Sequence, residues 1–104
     1  MKATFNDLIH NVKEWAGDKD ILKPENAPKQ MMKVMEELGE TAGAIAKMKA
    51  TDEITDGIGD TFVTLIILSY QLGLEPTECL QHAWNEIKDR KGRTENGVFI
   101  KDEK

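Results

Sequence analysis

Acidic side chains are the residues of this sequence whose spacing points most directly to chemistry. They form two groups: Glu36, Glu37 and Glu40, then Glu53, Asp56 and Asp60. Because an α-helix turns by about 100° per residue, Glu37 and Glu40 share one helix face, and the second group shares one face of the next helix. Asp56 and Asp60 stand four residues apart, where like charges repel. The pattern therefore predicts two acidic faces that need a compensating charge.

The sequence supplies no cation close to the second acidic group. From Ala50 to Ile87 there is no lysine or arginine, whereas this stretch holds seven acids: Asp52, Glu53, Asp56, Asp60, Glu75, Glu78 and Glu86. Packed like charges raise one another's pKa values or require a counter-ion. A divalent metal ion would provide one, and ligands that are all oxygen favour Mg²⁺, Mn²⁺ or Ca²⁺ over Zn²⁺.

A solvated helix face is the ordinary explanation of such acids. It fits a Glu-Glu-x-x-Glu run on its own, and Asp52 and Glu53 fit the role of acids that favour a helix start. Asp56 and Asp60 lie beyond the first turn, and their face continues into Val63 and Ile67. We therefore expect these carboxylates to be partly enclosed.

Helical spacing predicts an all-α protein. Thr4 is the expected N-cap of a first helix that stops at Gly17, and Pro28 begins a second helix. The second helix has an apolar face at alternating four- and three-residue spacing, which is typical of packing against another helix. That face, called the methionine face below, consists of Met31, Met35, Leu38, Ala42 and Ile45.

Two further helices and a tail complete the predicted compact four-helix bundle, a single domain over residues 1–104. Thr51 or Asp52 caps the third helix and Gly73 ends it. The fourth helix begins at Pro76 and closes at Gly92. Its inward residues are expected to be Leu80, Ala83, Trp84 and Ile87. In the tail, residues 96–100 predict a turn followed by a short extended piece.

Composition narrows the class of protein and its partners. A net charge of −5 argues against nucleic acid as a partner. The single cysteine, Cys79, precludes an internal disulfide and fits a reducing cytoplasm. The apolar stretch 62–68 is too short to cross a membrane. Met32 and Val34 extend the apolar surface of the second helix beyond a narrow face, so we expect a homodimer or homotetramer.

The two acidic groups resemble the paired motifs of the MazG-like, all-α nucleoside triphosphate pyrophosphohydrolases. The chain has Glu-Glu-Leu-Gly-Glu at 36–40 and Asp-Gly-Ile-Gly-Asp-Thr-Phe-Val at 56–63, where the family has Glu-Glu-x-x-Glu and Glu-x-x-Asp. The similarity extends to Trp15-Ala16, to Gln30-x-x-Lys33 and to residues 88–93. It implies Mg²⁺-dependent hydrolysis, with Mn²⁺ as a substitute, of a nucleoside triphosphate to a monophosphate and pyrophosphate.

The resemblance also implies roles for individual residues. Metal ligands are Glu37, Glu40 and Asp60, with Glu36 beside them. Gly57 stands where the family has glutamate, so Asp56 or Glu53 supplies that ligand or the site has one fewer. Whichever of Glu36 and Glu53 is not a ligand is the candidate general base.

Substrate contacts are expected from residues that also have structural explanations. Lys88, Arg90 and Lys91 are candidates for phosphate binding, although a basic last turn also complements the helix dipole. Lys33 either reaches a phosphate or pairs with Glu37. Trp15 and Gln30 are candidates for the nucleobase, against a core tryptophan and a solvated glutamine.

Two other functions fit the sequence. One is phosphoribosyl-ATP pyrophosphohydrolase, which shares the helical fold and an acidic site and differs in accepting only a histidine-pathway intermediate. The other is a non-catalytic helical interaction protein that binds nucleotide or metal without turnover, for which the glycine at position 57 is the main support.

Overall fold

Four α-helices and a β-hairpin make up the computed structural model, which describes residues 2–102. The α-helices are α1 (Phe5–Asp18), α2 (Ala27–Ala46), α3 (Thr51–Gln71) and α4 (Pro76–Ile87), with a 3-10 turn at Pro24–Asn26 before α2. The hairpin pairs β1 (Gly92–Glu95) with β2 (Val98–Lys101). The predicted helical class is confirmed, with a small sheet added. The predicted domain also includes residues 1, 103 and 104, which lie outside the described part.

Local capping explains where most helices begin. The Thr4 hydroxyl accepts a hydrogen bond from the Asp7 amide at 3.0 Å, and the Asp7 carboxylate accepts one from the Thr4 amide at 2.9 Å. This reciprocal pair closes the first turn of α1, as predicted. Pro28 and Pro76 occupy the first turns of α2 and α4. The prediction for α3 was wrong, because Ala50 is the N-cap and Thr51 is already helical.

The end of α4 and the tail differ from the prediction. The helix stops at Ile87, and Gly92 instead opens β1, where a Cβ atom would collide with the carbonyl oxygen of Ile100 and the ring of Phe99. Asn96 and Gly97 have φ angles of 52° and 79°. These positive values suit the two-residue turn that joins antiparallel strands. The expected turn is present, and the extended piece that follows it is β2, which pairs with β1.

The core lies between α2 and α3, with α1 on another side of α3. The more enclosed face of α2 consists of Ala27, Gln30, Val34, Glu37, Thr41 and Ala44. The methionine face points away from α3, and its large members are 42–55% exposed. The predicted helix packing of that face is therefore absent within residues 2–102, because α2 uses the neighbouring small and polar face.

Contacts with α1 and the following loop fix the second half of α3. The rings of Phe5 and Phe62 meet edge to face at 5.7 Å between centroids. The Gln71 side-chain amide donates to the Ile21 carbonyl at 2.8 Å. Gln71 is 2% exposed and closes the core at the end of α3.

The C-terminal arm, defined here as residues 76–102, stands apart from this core. Helix α4 is bent by 101° from the direction of α3, and every residue from 77 to 102 is exposed. Trp84, predicted to be core, is 53% exposed, because α4 leaves α3 instead of folding back along it. Leu80, Ala83 and Ile87 are exposed for the same reason. The radius of gyration is 16.2 Å, whereas a closely packed chain of this length has about 13 Å.

Within residues 2–102, no single helix has both the length and the low polarity that a membrane span needs. The pair α3 and α4 reaches that composition only when the two are taken together across their bend.

Candidate active site

Five carboxylates line one cleft between α2 and the first half of α3. The cleft measures about 260 Å³, and its lining residues are Glu37, Glu40, Thr41, Ala44, Glu53, Asp56, Gly57 and Asp60. We call it the acidic cleft. The two acidic faces expected from helical periodicity therefore meet in the structure, except that Glu36 lies outside.

The antiparallel packing of α2 and α3 brings these residues together. Gln30 near the start of α2 donates to the Thr64 carbonyl at 3.1 Å, and Thr41 further along α2 approaches Gly57 earlier on α3. The residue numbers rise on one helix as they fall on the other. This register places Glu37 opposite Asp60, so each helix contributes acids to the same opening.

Gly57 marks the closest approach of the two helices at the cleft. A Cβ atom built on it would lie 2.5 Å from the Thr41 hydroxyl oxygen and 3.2 Å from the Thr41 Cβ. Thr41 is buried, and its hydroxyl donates to the Glu37 carbonyl at 2.8 Å. A glutamate at position 57 would displace this threonine. Asp56 and Glu53 both line the cleft beside Gly57, so either can take the place of the family's glutamate.

Glu37 shows the electrostatic character of the cleft. Partial burial raises the pKa of its carboxyl group, and the charges of Glu40, Asp60 and Glu36 raise it further, while Lys33 opposes them. Among residues 2–102, the side chains that line the cleft include no lysine, arginine or histidine. The metal-free cleft thus holds negative charges whose repulsion is uncompensated locally.

Replacing Glu37 by glutamine is expected to stabilise the metal-free protein by an amount that grows with pH. The folded chain binds the Glu37 proton more tightly than the unfolded chain, whose carboxyl has the ordinary pKa of 4.5. The wild type therefore loses stability as pH rises from 4.5 through the raised value, whereas the amide variant does not. Thermal melts in EDTA, from below pH 4.5 to neutrality, measure the difference. Asp52→Asn, an exposed acid that lines no part of the cleft and does not perturb Glu37, is the control. A gain that is independent of pH would contradict the prediction.

The donor atoms of the cleft suit a hard divalent cation, although they do not converge in this structure. Within residues 2–102, no three acidic, histidine or cysteine side chains stand close enough to hold one metal ion together. The expectation that Asp56 and Asp60 are partly enclosed was wrong, because the cleft is open to solvent. The side chains of Glu40, Glu53, Asp56 and Asp60 are exposed and so can rotate. Their oxygens are the ligand type that Mg²⁺ and Mn²⁺ prefer. The site fits such an ion by chemistry and requires rotation of these side chains to bind it.

Three predicted site residues lie beside the cleft and not in it. The Lys33 ammonium pairs with the Glu36 carboxylate at 3.7 Å on the exposed side of α2. The Gln30 amide is engaged with the backbone of α3, so it contributes to helix packing. Glu36 therefore faces solvent and Lys33, and the cleft has no direct contribution from this side of α2.

Trp15 occupies a shallow apolar recess between α1 and α3. The recess measures about 320 Å³ and is lined by Leu8, Asn11, Val12, Trp15 and Val63. Val63 follows Asp60 by three residues on α3, which places the recess about one helical turn from the cleft. Trp15 is half exposed, so its ring is accessible to a flat ligand.

The basic residues Lys88, Arg90 and Lys91 are remote from the cleft of their own chain. From Asp60 to the end of α3 the helix rises about 16 Å, and α4 adds about 18 Å in a nearly perpendicular direction. The separation is therefore more than about 20 Å, too far for a side chain to span. The structure does not bring these predicted phosphate contacts to the acidic cleft of the same chain.

Sequence reasoning missed Thr41 and the structural role of Gly57. Thr41 lies four residues after Glu37, on the enclosed face of α2. The signal that the sequence offered for a close helix contact was a small residue, Thr41, on the same helix face as Glu37. Gly57 then follows from the register of α3 against α2, which one helix alone does not reveal.

Comparison with known proteins gives a relative without an assigned function. It is the uncharacterised 18.2 kDa protein of the rep-hol intergenic region of Haemophilus phage HP1 (strain HP1c1), 42% identical over 69 residues. The match covers 66% of this chain and 42% of the phage protein, so the chain spans about two fifths of that relative. No model of a protein family matches the chain, and no solved structure matches it. The resemblance to MazG-like pyrophosphohydrolases therefore rests on the motifs of the sequence.

Proposed function

We propose that this protein is a cytoplasmic, Mg²⁺-dependent nucleoside triphosphate pyrophosphohydrolase that releases a monophosphate and pyrophosphate. The observation that carries the proposal is the acidic cleft. Two helices contribute five carboxylates to one opening, and no cation lines it among the described residues. Such an arrangement is unfavourable in the absence of a ligand, which is typical of a site kept for binding.

The residues of the cleft divide into ligands and a base. Glu37, Glu40, Asp56 and Asp60 would hold Mg²⁺, or Mn²⁺ in its place. When bound, such an ion neutralises charge on phosphate oxygens and lowers the pKa of a water molecule. Glu53 lines the cleft at the start of α3 and would act as the general base toward the attacking water. Glu36 lies outside, so we assign it the pairing with Lys33.

The recess around Trp15 is the proposed position of the nucleobase. Its walls are largely apolar, and Asn11 adds a hydrogen-bonding amide. An aromatic ring beside aliphatic side chains favours stacking of a flat base. Because the recess lies about one turn along α3 from Asp60, a base bound there would leave its phosphates toward the cleft.

A product assay tests this function. The wild type is expected to convert one or more members of a panel of nucleoside and deoxynucleoside triphosphates to monophosphate and pyrophosphate with Mg²⁺, and none with EDTA. Chromatography distinguishes this result from diphosphate and orthophosphate, which would exclude the proposed reaction. Turnover of phosphoribosyl-ATP alone would identify the histidine-pathway enzyme instead. Stabilisation by Mg²⁺ without any turnover would support the non-catalytic binding protein, for which the glycine at position 57 is the main support.

We also propose that the protein works as a homodimer or homotetramer. The chain exposes 8273 Å², whereas a folded monomer of 11.7 kDa exposes about 5,900 Å². The difference, about 2,400 Å² per chain, lies within the range that obligate homo-oligomers bury. Much of the excess is apolar, since the methionine face and the C-terminal arm both present large apolar side chains to solvent.

A further inference from the structure

The acidic cleft of one chain has carboxylates for a metal ion but no cationic side chain, among the described residues that line it, to bind the phosphates of a triphosphate. A nucleotide's phosphate oxygens are recognised by lysine or arginine as well as by metal. Lys33 is paired with Glu36 beside the cleft. The dense basic segment of the chain, residues 88–93, lies more than about 20 Å away within the same chain. A second source of positive charge is therefore needed at the cleft.

The C-terminal arm, which carries that basic segment, adjoins the core only through the first turns of α4, where Leu80 faces Phe5 and Phe62 across an open apolar pocket; every described residue from 77 onward remains exposed. Leu80, Trp84 and Ile87 follow the four-then-three spacing of a helix face that packs on another helix, and all three are exposed. The hairpin adds Val98, Phe99 and Ile100, also exposed. An isolated helix of this length and an isolated two-stranded hairpin are marginal in water. The arm requires a surface to order it.

A matching surface adjoins the cleft on α2. The methionine face has the same four-and-three spacing, and Leu38 lies between the cleft residues Glu37 and Glu40 along the chain. The basic segment and the five carboxylates are of opposite charge, which favours their approach in preference to other orientations. A second copy of the chain supplies both the apolar and the basic part of the missing contact.

We propose that the arm of one copy lies on the methionine face of another and brings Lys88, Arg90 and Lys91 to its acidic cleft. The active site is then composite, with metal ligands from one chain and phosphate-binding cations from the other. The identity of the bound group as a nucleotide phosphate rests on the proposed function. The contact between copies does not.

Complementation between two inactive variants tests the composite site. One variant carries Asp60→Asn and an intact arm, and the other carries Lys88→Ala, Arg90→Ala and Lys91→Ala with an intact cleft. The two are co-expressed with different tags and purified through both. In a mixed dimer one of two sites then combines an intact cleft with an intact arm, so about half of the wild-type activity is expected. Activity no higher than in the separate variants would show that no arm complements the cleft of another copy and would overturn the proposal. Lys101→Ala, elsewhere on the arm, is the control.

Cross-linking provides a readout that does not depend on turnover. Wild-type protein is produced in ¹⁴N and in ¹⁵N medium, and the two preparations are mixed, unfolded and refolded together so that copies exchange. A carbodiimide then joins lysines to carboxylates that are in contact. Mixed-isotope peptides that join Lys88 or Lys91 to Glu40, Glu53 or Asp56 are expected. Their absence, or a monomer by light scattering at micromolar concentration, would refute the contact between copies. Mixed-isotope peptides from a protein that hydrolyses no nucleoside triphosphate would refute the proposed function but not the contact between copies.

Discussion

Replacing Asp60 by asparagine is expected to abolish pyrophosphate release and leave the metal-free protein at least as stable as the wild type. Asp60 lines the acidic cleft opposite Glu37 and helps to raise the pKa of that residue. The neutral amide removes one proposed metal ligand and one repulsive charge together. We expect activity to fall on the order of 100-fold or more, and the stabilisation that Mg²⁺ gives the wild type to disappear. A product assay, together with thermal melts in EDTA and in Mg²⁺, measures both effects.

Matched variants separate a binding site from a structural acidic network. Asp52→Asn changes an exposed acid of the same helix that does not line the cleft, so it should retain activity. Glu40→Gln should behave like Asp60→Asn. If Asp56 replaces the family's glutamate, Asp56→Asn should lose both activity and the stabilisation by Mg²⁺. Glu53→Gln should be milder in that it lowers the rate, as loss of a general base does, but keeps the stabilisation by Mg²⁺. A structural network would instead lose about 1–3 kcal/mol with or without metal, and an active Asp60→Asn variant would exclude this site.

Introducing the family's glutamate at position 57 is expected to destabilise the protein and not to improve its activity. A Cβ atom at this position would press on the buried Thr41, whose hydroxyl lies only 2.5 Å from it. Overpacking of this kind typically costs about 1–3 kcal/mol, and displacement of α2 from α3 would also separate Glu37 from Asp60. Urea unfolding of Gly57→Glu measures the loss.

A second glycine on α3 provides the control for this prediction. A Cβ atom on Gly59 would meet no other atom within 4 Å, so Gly59→Glu should be as stable as the wild type or slightly more stable, since glycine is a poor helix former. The double variant Gly57→Glu, Thr41→Ala removes the hydroxyl and methyl groups in the way and should recover most of the stability. Equal stability of Gly57→Glu and Gly59→Glu would show that α2 and α3 are not this close in solution.

Local rules were sufficient to predict the helices and the acidic faces. Thr4 and Pro76 act within one turn, so their effect on helix starts is readable from neighbouring residues. The shared face of Glu53, Asp56 and Asp60 follows from helical geometry alone. Their meeting with Glu37 and Glu40 needed only two consecutive helices to pack antiparallel, which a short connection favours.

Features that depend on the relation between distant elements could not be predicted. The spacing of Leu80, Trp84 and Ile87 indicates an apolar face, but periodicity does not say whether the partner is the same chain or another copy. The remoteness of Lys88 follows from the bend between α3 and α4, which the spacing of apolar residues does not reveal. The motif on α3 alone makes Gly57 a missing ligand. The reason for a glycine at this position is the close contact with Thr41, which belongs to the other helix.

Together with the proposed contact between copies, the distribution of buried residues would make the order of the C-terminal arm depend on protein concentration. Within residues 2–102, the last buried side chain is Gln71, so the cooperative unfolding unit of a single chain ends with α3. Dilution would then release the C-terminal arm long before it unfolds α1 to α3, and amide hydrogens of α4 would exchange with solvent under conditions that still protect those of α2. In the proposed contact between copies, a second copy would act by mass action as the ligand that orders the arm. The number of chains in a cell would therefore set the fraction of arms that are ordered at any moment.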